Sequence, residues 1–265
     1  MEDKKTIKIP TLSELATENK QSEFLFWVGS AGSYDDRAKK ITRAFAKILT
    51  FCNVNFAVLG TEESDSGDVA RRAGNEFLFQ MQAMQNIETL KMYEVKKIIT
   101  CDPHDYNTIK NEYPDLGGKY EVFHHTEFLY QLIQDGKLKI ENNALKDKVI
   151  TYHDPCYLGR GNGILSEPRQ ILLKLSSKLP EMKRNKQRSL CCGAGGAQMF
   201  KEAEKGRLEV YTMRVNDALE VNPDIIATAC PFCMTMLTDG IKMMDKQKEI
   251  EVKDIAELLV GVLGI

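Results

Sequence analysis

Five of the seven cysteines lie in the second half of the chain, where they are carried by three short segments about forty residues apart. The spacing is C-x34-CC-G-x36-C-x2-C, formed by Cys156, Cys191, Cys192, Cys230 and Cys233. Thiols grouped in this way bind a metal, form disulfides or carry out redox chemistry. The three segments must meet in the folded chain before any of these reactions is possible.

The residues around the thiols favour thiolate chemistry. Cys230 and Cys233 lie where a predicted strand ends and a helix begins, and Pro231 suits the first position of that helix. A helix N-terminus favours negative charge and lowers the pKa of a thiol placed there. Gly193 and Gly195 follow the cysteine pair, and such glycines let the backbone wrap closely and direct N–H groups toward sulfur.

Three kinds of site compete for these thiols. Structural zinc usually takes two C-x2-C pairs, and only one such pair is present. A redox disulfide between Cys230 and Cys233 leaves three thiols unexplained. An iron–sulfur cluster is favoured over both, and because a simple cubane needs four cysteines, the fifth indicates an unusual cluster.

Composition narrows the class of protein. The 265 residues carry a net charge of -2, so no basic field for nucleic acid is expected. The first twenty residues are polar and resemble no signal peptide, and no apolar run reaches the length of a membrane span. We therefore expect a cytoplasmic chain that meets a membrane only through a partner. Clustered cysteines in the cytosol bind metal more often than they form structural disulfides.

Strand-like and helix-like segments alternate along the chain, which predicts an α/β fold with parallel sheets and flanking helices. A capping box from Ser33 to Asp36 is expected to open one helix, a long helical pattern covers 69–92, and another helix starts at Pro103. The segment 76–81 is expected to be buried core. Predicted strands cover 24–28, 55–59, 97–100, 149–152 and 224–228.

The chain contains an internal duplication with a period of about 128 residues. Segment 96–109 aligns without a gap to 224–237, and 120–129 aligns to 250–259. The two predicted copies form pseudo-symmetric Rossmann-like halves that meet in the polar stretch 141–148. At the positions of the five cysteines, the first copy carries Ser30, Asp65, Ser66, Asp102 and Asp105.

These differences predict a division of labour between the copies. We expect an extension over 1–22, a domain without cluster ligands over 23–143, and a cluster-binding domain over 144–265. The aspartates of the first copy could hold a hard cation, but solvated carboxylates left by a lost cluster are the favoured interpretation. Asp102 before Pro103 also suits a helix N-cap.

Three segments carry a resemblance to a known family: YHDPCYLGR, LCCGAGGAQMF and ACPFCMTMLTDG. They resemble the cysteine-rich CCG domain found in the catalytic subunit of heterodisulfide reductase and in the iron–sulfur subunits that oxidise glycolate, glycerol-3-phosphate and lactate. Further segments, among them GTEES and NEFLFQMQAM, resemble iron–sulfur proteins associated with electron-transfer-flavoprotein:quinone oxidoreductases. The resemblance implies one non-cubane [4Fe-4S] cluster, with metal ligands Cys156, Cys191, Cys192, Cys230 and Cys233.

The resemblance also implies a role, which is electron relay toward a quinone or disulfide acceptor as part of a larger oxidoreductase rather than as a complete enzyme. The chain has no G-x-G-x-x-G fingerprint, P-loop or ferredoxin-type cysteine run, so electrons must arrive from elsewhere. Expected partners are a ferredoxin-type or membrane-anchored redox subunit, or electron-transfer flavoprotein. The alternatives are a catalytic subunit whose cluster meets substrate, and a subunit whose metal is structural.

Four further side chains are candidates for supporting roles. His153 lies three residues before Cys156, where it could hydrogen-bond a sulfur or relay protons. Arg160 could approach the cluster or a partner. His124 and His125 precede a helix pattern and are expected to be structural.

Overall fold

The computed structural model describes residues 8–202 and 206–265. Residues 1–7 of the expected extension 1–22 lie outside this part of the chain. Within it, seven strands form two all-parallel sheets, with strand orders β2-β1-β3-β4 and β5-β6-β7. The strands are β1 Phe24–Trp27, β2 Phe56–Ala57, β3 Lys97–Thr100, β4 Glu121–His124, β5 Ile150–Tyr152, β6 Ile225–Thr228 and β7 Glu251–Asp254.

Helices flank both sheets, so the predicted parallel α/β architecture is confirmed. Strands buried on both faces are continuous apolar runs, as in β1 and β6, which is typical of parallel sheets covered by helices. The described residues form eleven α-helices: α1 Leu12–Thr17, α2 Gly29–Tyr34, α3 Ala38–Phe51, α4 Asp68–Arg72, α5 Glu76–Met92, α6 Pro103–Asn107, α7 His125–Gln134, α8 Ser166–Leu175, α9 Val210–Leu219, α10 Pro231–Met243 and α11 Ile255–Leu263. Within these bounds, no helix combines the length and apolar character needed to cross a bilayer.

Two local predictions about helices are wrong. The pattern over 69–92 is two helices, because Gly74 adopts a φ of 89° and ends the first of them. The capping box at Ser33 does not form, because Ser33 lies inside α2. The side chain of Asp35 instead accepts a hydrogen bond from the Ala38 N–H at the start of α3, at 2.7 Å.

The expectation of a buried segment at 76–81 is also wrong. Phe79 is buried, but Phe77 is 76% exposed and Met81 is 54% exposed. The reason is the helical period, since one face of α5 packs on the core while these side chains lie on other faces. Apolar and polar residues are mixed on every face of α5, so the sequence pattern did not show which face is buried.

The duplication is visible at the ends of both sheets. β4 and β7 each lead directly into a helix whose first turn closes a capping box. In the first copy Glu127 bonds back to His124, and in the second Glu257 bonds back to Asp254. The aligned sequences 120–129 and 250–259 therefore build the same local structure.

A chain of buried side chains joins the two halves. The Thr126 N–H caps Nδ1 of His124, so His124 carries its proton on Nε2 and donates it to Nδ1 of His125. Nε2 of His125 then donates to Asp254 Oδ1 at 3.1 Å, with both side chains fully buried. The structural role expected for the two histidines thus consists of holding α7 against the second sheet.

We expect this chain to make the fold sensitive to mild acid. Burial, and then the neighbouring His125, hold the pKa of His124 well below its usual range. Below about pH 6.5 the unfolded chain binds a proton that the folded chain excludes, so stability falls as the pH falls. In this range, the protonation of His124 in the unfolded chain should lower the free energy of unfolding by about 1.4 kcal/mol for each unit by which the pH falls.

Urea unfolding of the reduced chain between pH 7.5 and 5.5 measures this dependence. His124→Asn keeps an N-cap acceptor but cannot titrate, so its stability should fall less steeply with decreasing pH. If the free energy of unfolding changes with pH equally steeply in the variant and in the wild-type protein, the prediction is wrong.

Candidate metal centre

The carboxyl edge of the second sheet brings the thiol segments together. Cys156 follows β5 in the loop that leads into a short π-helical turn, and Cys230 lies two residues after the end of β6. Cys191 and Cys192 arrive from a long loop between α8 and α9. This edge is where ligands are bound in open parallel α/β sheets.

The five thiols form one unbroken series of contacts. Cys156 contacts Cys191, which contacts Cys192, which contacts Cys233, and Cys233 contacts Cys230. Cys192, Cys230 and Cys233 are almost fully buried, whereas Cys156 and Cys191 are half-buried. Cys52 and Cys101 are not part of this series, in agreement with their positions outside the repeat pattern.

The start of α10 provides two of the thiols. Cys230 is the N-cap residue, and its Sγ accepts the Cys233 N–H at 3.5 Å. Pro231 occupies the first turn, as predicted, where its missing N–H is not needed. Burial opposes ionisation, but hydrogen bonds from Cys233 and His104 lower the pKa of Cys230 to about 5.

The glycines after the cysteine pair shape the loop around sulfur. Gly193 has a φ of 100° and donates its N–H to Cys191 Sγ at 3.3 Å. The positive φ favours glycine here, and a Cβ at this position would also lie in a tight contact, 3.3 Å from Val210 Cβ. A Cβ on Gly195 would lie 3.8 Å from Cys191 Sγ, so this glycine also keeps the space beside the sulfur open.

The thiols cannot all ionise without a cation. Hydrogen bonds from Cys156 and Cys192 lower the pKa of Cys191. The hydrogen bond between Cys156 and Cys191 in turn raises the pKa of Cys156. Contact with neighbouring thiols, together with burial, also raises the pKa of Cys192 and Cys233. Metal binding releases thiol protons and offsets the accumulated negative charge, which is the chemistry this donor set supports.

A buried ion pair fixes two of the loops. Both carboxylate oxygens of Asp154 accept hydrogen bonds from Arg169, at 2.8 and 2.9 Å. Asp154 also accepts the Lys186 N–H, and its carbonyl accepts the Ser189 hydroxyl. Arg160, predicted near the cluster, donates to the Ser189 carbonyl and so braces the approach to the cysteine pair rather than reaching the thiols.

His153 is buried beside the thiols. One of its ring nitrogens lies within 4.8 Å of the sulfurs of Cys192 and Cys233. Its Nδ1 accepts a hydrogen bond of 2.8 Å from Nε of Arg214, a fully buried arginine of α9. No sequence pattern singled out Arg214, because a charged residue within a helix is normally exposed.

The first half also reaches the centre, through a residue that the sequence analysis missed. His104 of α6 lies with Asp102 and Cys230 in a group whose ligand atoms are all within 4.8 Å of one another. Its Nδ1 lies 2.9 Å from Oδ2 of Asp68, and the centroids of its ring and the Tyr157 ring are 4.3 Å apart. The repeat contained the signal, because His104 aligns with Phe232 between the two ligand positions of the motif.

At the equivalent edge of the first sheet, the replacement residues bond to one another and to the backbone. Ser66 donates to Asp105 at 2.6 Å, Asp65 accepts the Gly67 N–H, and Asp102 caps α6 as predicted. Burial raises the pKa of Asp102 to about 8 and that of Asp105 well above its usual range. Ser30 lies at the start of α2.

The expected carboxylates are therefore buried rather than solvated, apart from the half-buried Asp65. In the part of the chain that the structure describes, groups of three metal-ligating atoms within 4.8 Å are limited to two. These are His153 with Cys192 and Cys233, and Asp102 with His104 and Cys230. The first-half carboxylates do not form such a group among themselves.

Comparison with known proteins places this geometry in context. The chain is 48% identical over 97% of its length to a probable iron-sulfur-binding oxidoreductase, FadF, of Bacillus subtilis, of which it covers 36%. It is 43% identical over 92% of its length to an EtfAB:quinone oxidoreductase of Syntrophomonas wolfei, of which it covers 35%. The chain thus spans about a third of the length of these relatives.

Two more distant similarities agree with the fold. One component of the dihydromethanophenazine:CoB--CoM heterodisulfide reductase of Methanosarcina barkeri is 35% identical over 92% of the chain, which covers 60% of that component. A crystal structure of a hypothetical protein from Helicobacter pylori superposes with a TM-score of 0.56 at 8% identity. That superposition covers 91% of this chain and 49% of the other, and it shows the fold alone.

The cysteine-rich domain model, CCG, matches the chain twice, over residues 25–110 and 150–238. These segments contain the first three strands of the first half and the loops that carry the five thiols. The resemblance predicted from the thiol motifs is therefore confirmed, and the chain belongs to the cysteine-rich CCG domain family.

Proposed function

We propose that this chain is the iron–sulfur electron-transfer part of a larger oxidoreductase and holds one [4Fe-4S] cluster. The observation that carries the proposal is the unbroken contact series of five thiols, three of them almost fully buried. The ligands would be Cys156, Cys191, Cys192, Cys230 and Cys233. A bound cluster supplies one-electron transfer at a potential that its surroundings tune.

The donor set fits such a cluster better than it fits zinc. Thiolates are soft ligands that suit both zinc and iron–sulfur clusters, but a structural zinc ion is closed by four ligands in a tetrahedron. Five thiols in one contact series exceed that number. The Gly193 N–H directed at Cys191 supplies the hydrogen bonding to sulfur that iron–sulfur sites use.

The protein side chains have three tasks at this centre. The thiolates bind, the Asp154–Arg169 pair holds two of the thiol loops in register, and the buried side chains exclude water from the inner face. Cys156 and Cys191 remain half-buried, so one side of the centre is accessible to an electron-transfer partner.

The first half supports the proposal of one cluster per chain. Its five equivalent positions hold hydroxyls and carboxyls, and those of Asp65, Ser66, Asp102 and Asp105 are bonded within the fold. We therefore assign 23–143 as a domain without cluster ligands and 144–265 as the cluster-binding domain. A two-cluster mechanism within this chain is not part of the proposal.

The relatives' names supply the context for partners. One is an EtfAB:quinone oxidoreductase, and another is a probable membrane-anchored ferredoxin of Chromohalobacter salexigens. We propose that electrons reach this chain from a ferredoxin-type centre, a membrane-anchored subunit or electron-transfer flavoprotein, and leave toward a quinone or disulfide. We place the chain on the cytoplasmic side of the membrane, where clustered cysteines bind metal more often than they form disulfides.

A second candidate function is catalysis at the cluster, as in reduction of a disulfide. The half-buried sulfurs of Cys156 and Cys191 favour it, because a substrate could approach them. Adding a disulfide substrate to the reduced protein would then change its electron paramagnetic resonance spectrum. A spectrum that is unchanged by substrate, with rapid reoxidation by a quinone analogue, would favour electron relay.

Iron and sulfide counting after anaerobic purification tests the main proposal. We expect about four irons per chain and a paramagnetic signal in one redox state. About eight irons would show that the first half also holds a cluster, and zinc without iron would overturn the redox function. A metal whose removal unfolds the chain without any redox signal would indicate a structural site.

A further inference from the structure

His153 is held in one tautomer by a neighbour that can only donate. The Arg214 guanidinium has five N–H donors and no acceptor, and its Nε lies 2.8 Å from Nδ1 of His153. Nδ1 must therefore be the acceptor in this pair, and a neutral imidazole with a lone pair on Nδ1 carries its proton on Nε2. The ring is 1% exposed, so no bulk water competes for this arrangement.

The proton on Nε2 has no partner in the described part of the protein. Nε2 of His153 is buried without a hydrogen bond, although buried donors are almost always paired. Sulfur atoms of Cys192 and Cys233 lie within 4.8 Å of a nitrogen of this ring. The unpaired donor therefore lies beside the proposed cluster ligands.

The aligned position of the first half shows the same feature. Trp27 occupies the place of His153 in the repeat, at the end of the first strand of its sheet. Its side chain is fully buried, and its Nε1–H also lacks a partner among the described residues. Both halves thus present a buried N–H donor at the strand end, and in the first half the cysteines that would accept it have been replaced.

We propose that His153 donates its Nε2–H to sulfur of the bound cluster, and that Arg214 is the positioning residue that fixes this tautomer. The inference rests on the proposed function and adds a determinant of the reduction potential. Hydrogen bonds to sulfur and nearby positive charge stabilise the more negative, reduced cluster and raise its potential. Arg214 is buried, and Asp217 compensates its charge at a distance of 3.4 Å.

The geometry assigns His153 a donor role rather than a ligand role. A ligating histidine needs a free lone pair, and the lone pair on Nδ1 is occupied by Arg214. His104 differs in its partners, because its Nδ1 pairs with the Asp68 carboxylate and its ring also hydrogen-bonds to Cys230. The two histidines beside the centre are therefore not equivalent.

Two substitutions of similar size separate the donor from the packing role. His153→Asn keeps an acceptor for Arg214 at the position of Nδ1 but is too short to reach sulfur. His153→Gln places an amide N–H near the position of Nε2. With iron and sulfide content equal to wild type, His153→Asn should reduce the equilibrium constant for cluster reduction about tenfold, which is about 59 mV for one electron. His153→Gln should recover part of this loss.

A spectroscopic measurement on the wild-type protein provides evidence that does not depend on how a variant folds. Pulsed electron paramagnetic resonance of the reduced holoprotein labelled with ¹⁵N-histidine should show a weak nitrogen coupling transmitted through the N–H···S bond. The part of the coupling that comes from His153 should disappear in His153→Asn, whereas the part from His104, which hydrogen-bonds to Cys230, should remain. A strong coupling, typical of nitrogen bound to iron, would overturn the donor role.

The outcomes distinguish this inference from the proposed function. A potential that is unchanged or raised in a fully loaded His153→Asn protein overturns the inference and leaves the electron-transfer function intact. If the variant loses iron, labelled His104→Gln protein decides, because its nitrogen coupling no longer includes His104. A coupling that persists there supports the donor role of His153, and its absence overturns that role. Wild-type protein without iron overturns the proposed function and this inference together.

Discussion

Replacement of Cys192 by alanine is expected to remove most of the iron from the reconstituted chain. Cys192 is 3% exposed and lies at the middle of the contact series, between Cys191 and Cys233. Its loss leaves the four other thiols in two separate pairs. We expect iron content and visible absorbance to fall at least about tenfold, since even residues behind the ligands change metal affinity by about 10–100-fold.

Cys101→Ala is the matched control for this prediction. Cys101 is a buried thiol of the first half, and its pKa is raised well above the usual range, chiefly by burial. The aligned residue of the second half is Ala229, so the smaller side chain suits this local structure. Iron content should be unchanged in Cys101→Ala, and full iron content in Cys192→Ala would remove Cys192 from the ligand set.

Replacement of Arg169 by alanine is expected to cost about 3–5 kcal/mol of unfolding free energy, because it leaves the Asp154 carboxylate buried without its partner. The side chain of Asp154 is 1% exposed, and it joins the Cys156 loop to the segment before the cysteine pair. The cost is a large part of the stability of an ordinary domain. Iron uptake should fall with it, because two of the thiol loops lose their common support.

Urea unfolding of the reduced, metal-free chain measures this cost. Arg169→Lys keeps the charge but cannot make the paired hydrogen bonds, so its stability should lie between those of Arg169→Ala and wild type. Lys242→Ala is the control, because its ion pair with Asp239 is largely exposed and should contribute less than about 1 kcal/mol. If Arg169→Ala loses less than about 1 kcal/mol of unfolding free energy, other groups must still stabilise the buried charge of Asp154.

Local features of the chain were predictable because they depend on neighbouring residues. Pro231 at the start of a helix, Asp102 as an N-cap and the strand 97–100 all appear as expected. The capping box at Ser33 failed because a helix that begins at Gly29 already includes this residue. The prediction that 76–81 is buried failed because α5 carries apolar residues on every face, and composition does not show which face meets the core.

The supporting residues of the centre were not predictable in the same way. Arg214 meets His153 across 61 positions of sequence, and Arg169 meets Asp154 across 15. His104 reaches Cys230 from the other half of the chain. Each contact pairs ordinary polar residues, and none has a spacing or motif of its own.

The sequence by itself determined the chemistry of this protein: five thiols in one copy of a duplicated domain, with hydroxyls and carboxyls at the same positions of the other copy. The tertiary structure decided which groups surround those thiols, with His153 held by Arg214 on one side and His104 held by Asp68 on the other. The physical reason is that ligand type is a property of single residues, whereas hydrogen-bond partners depend on how distant segments pack. The packing of the halves places His104 of the copy that lacks the five cysteines against Cys230 of the copy that has them.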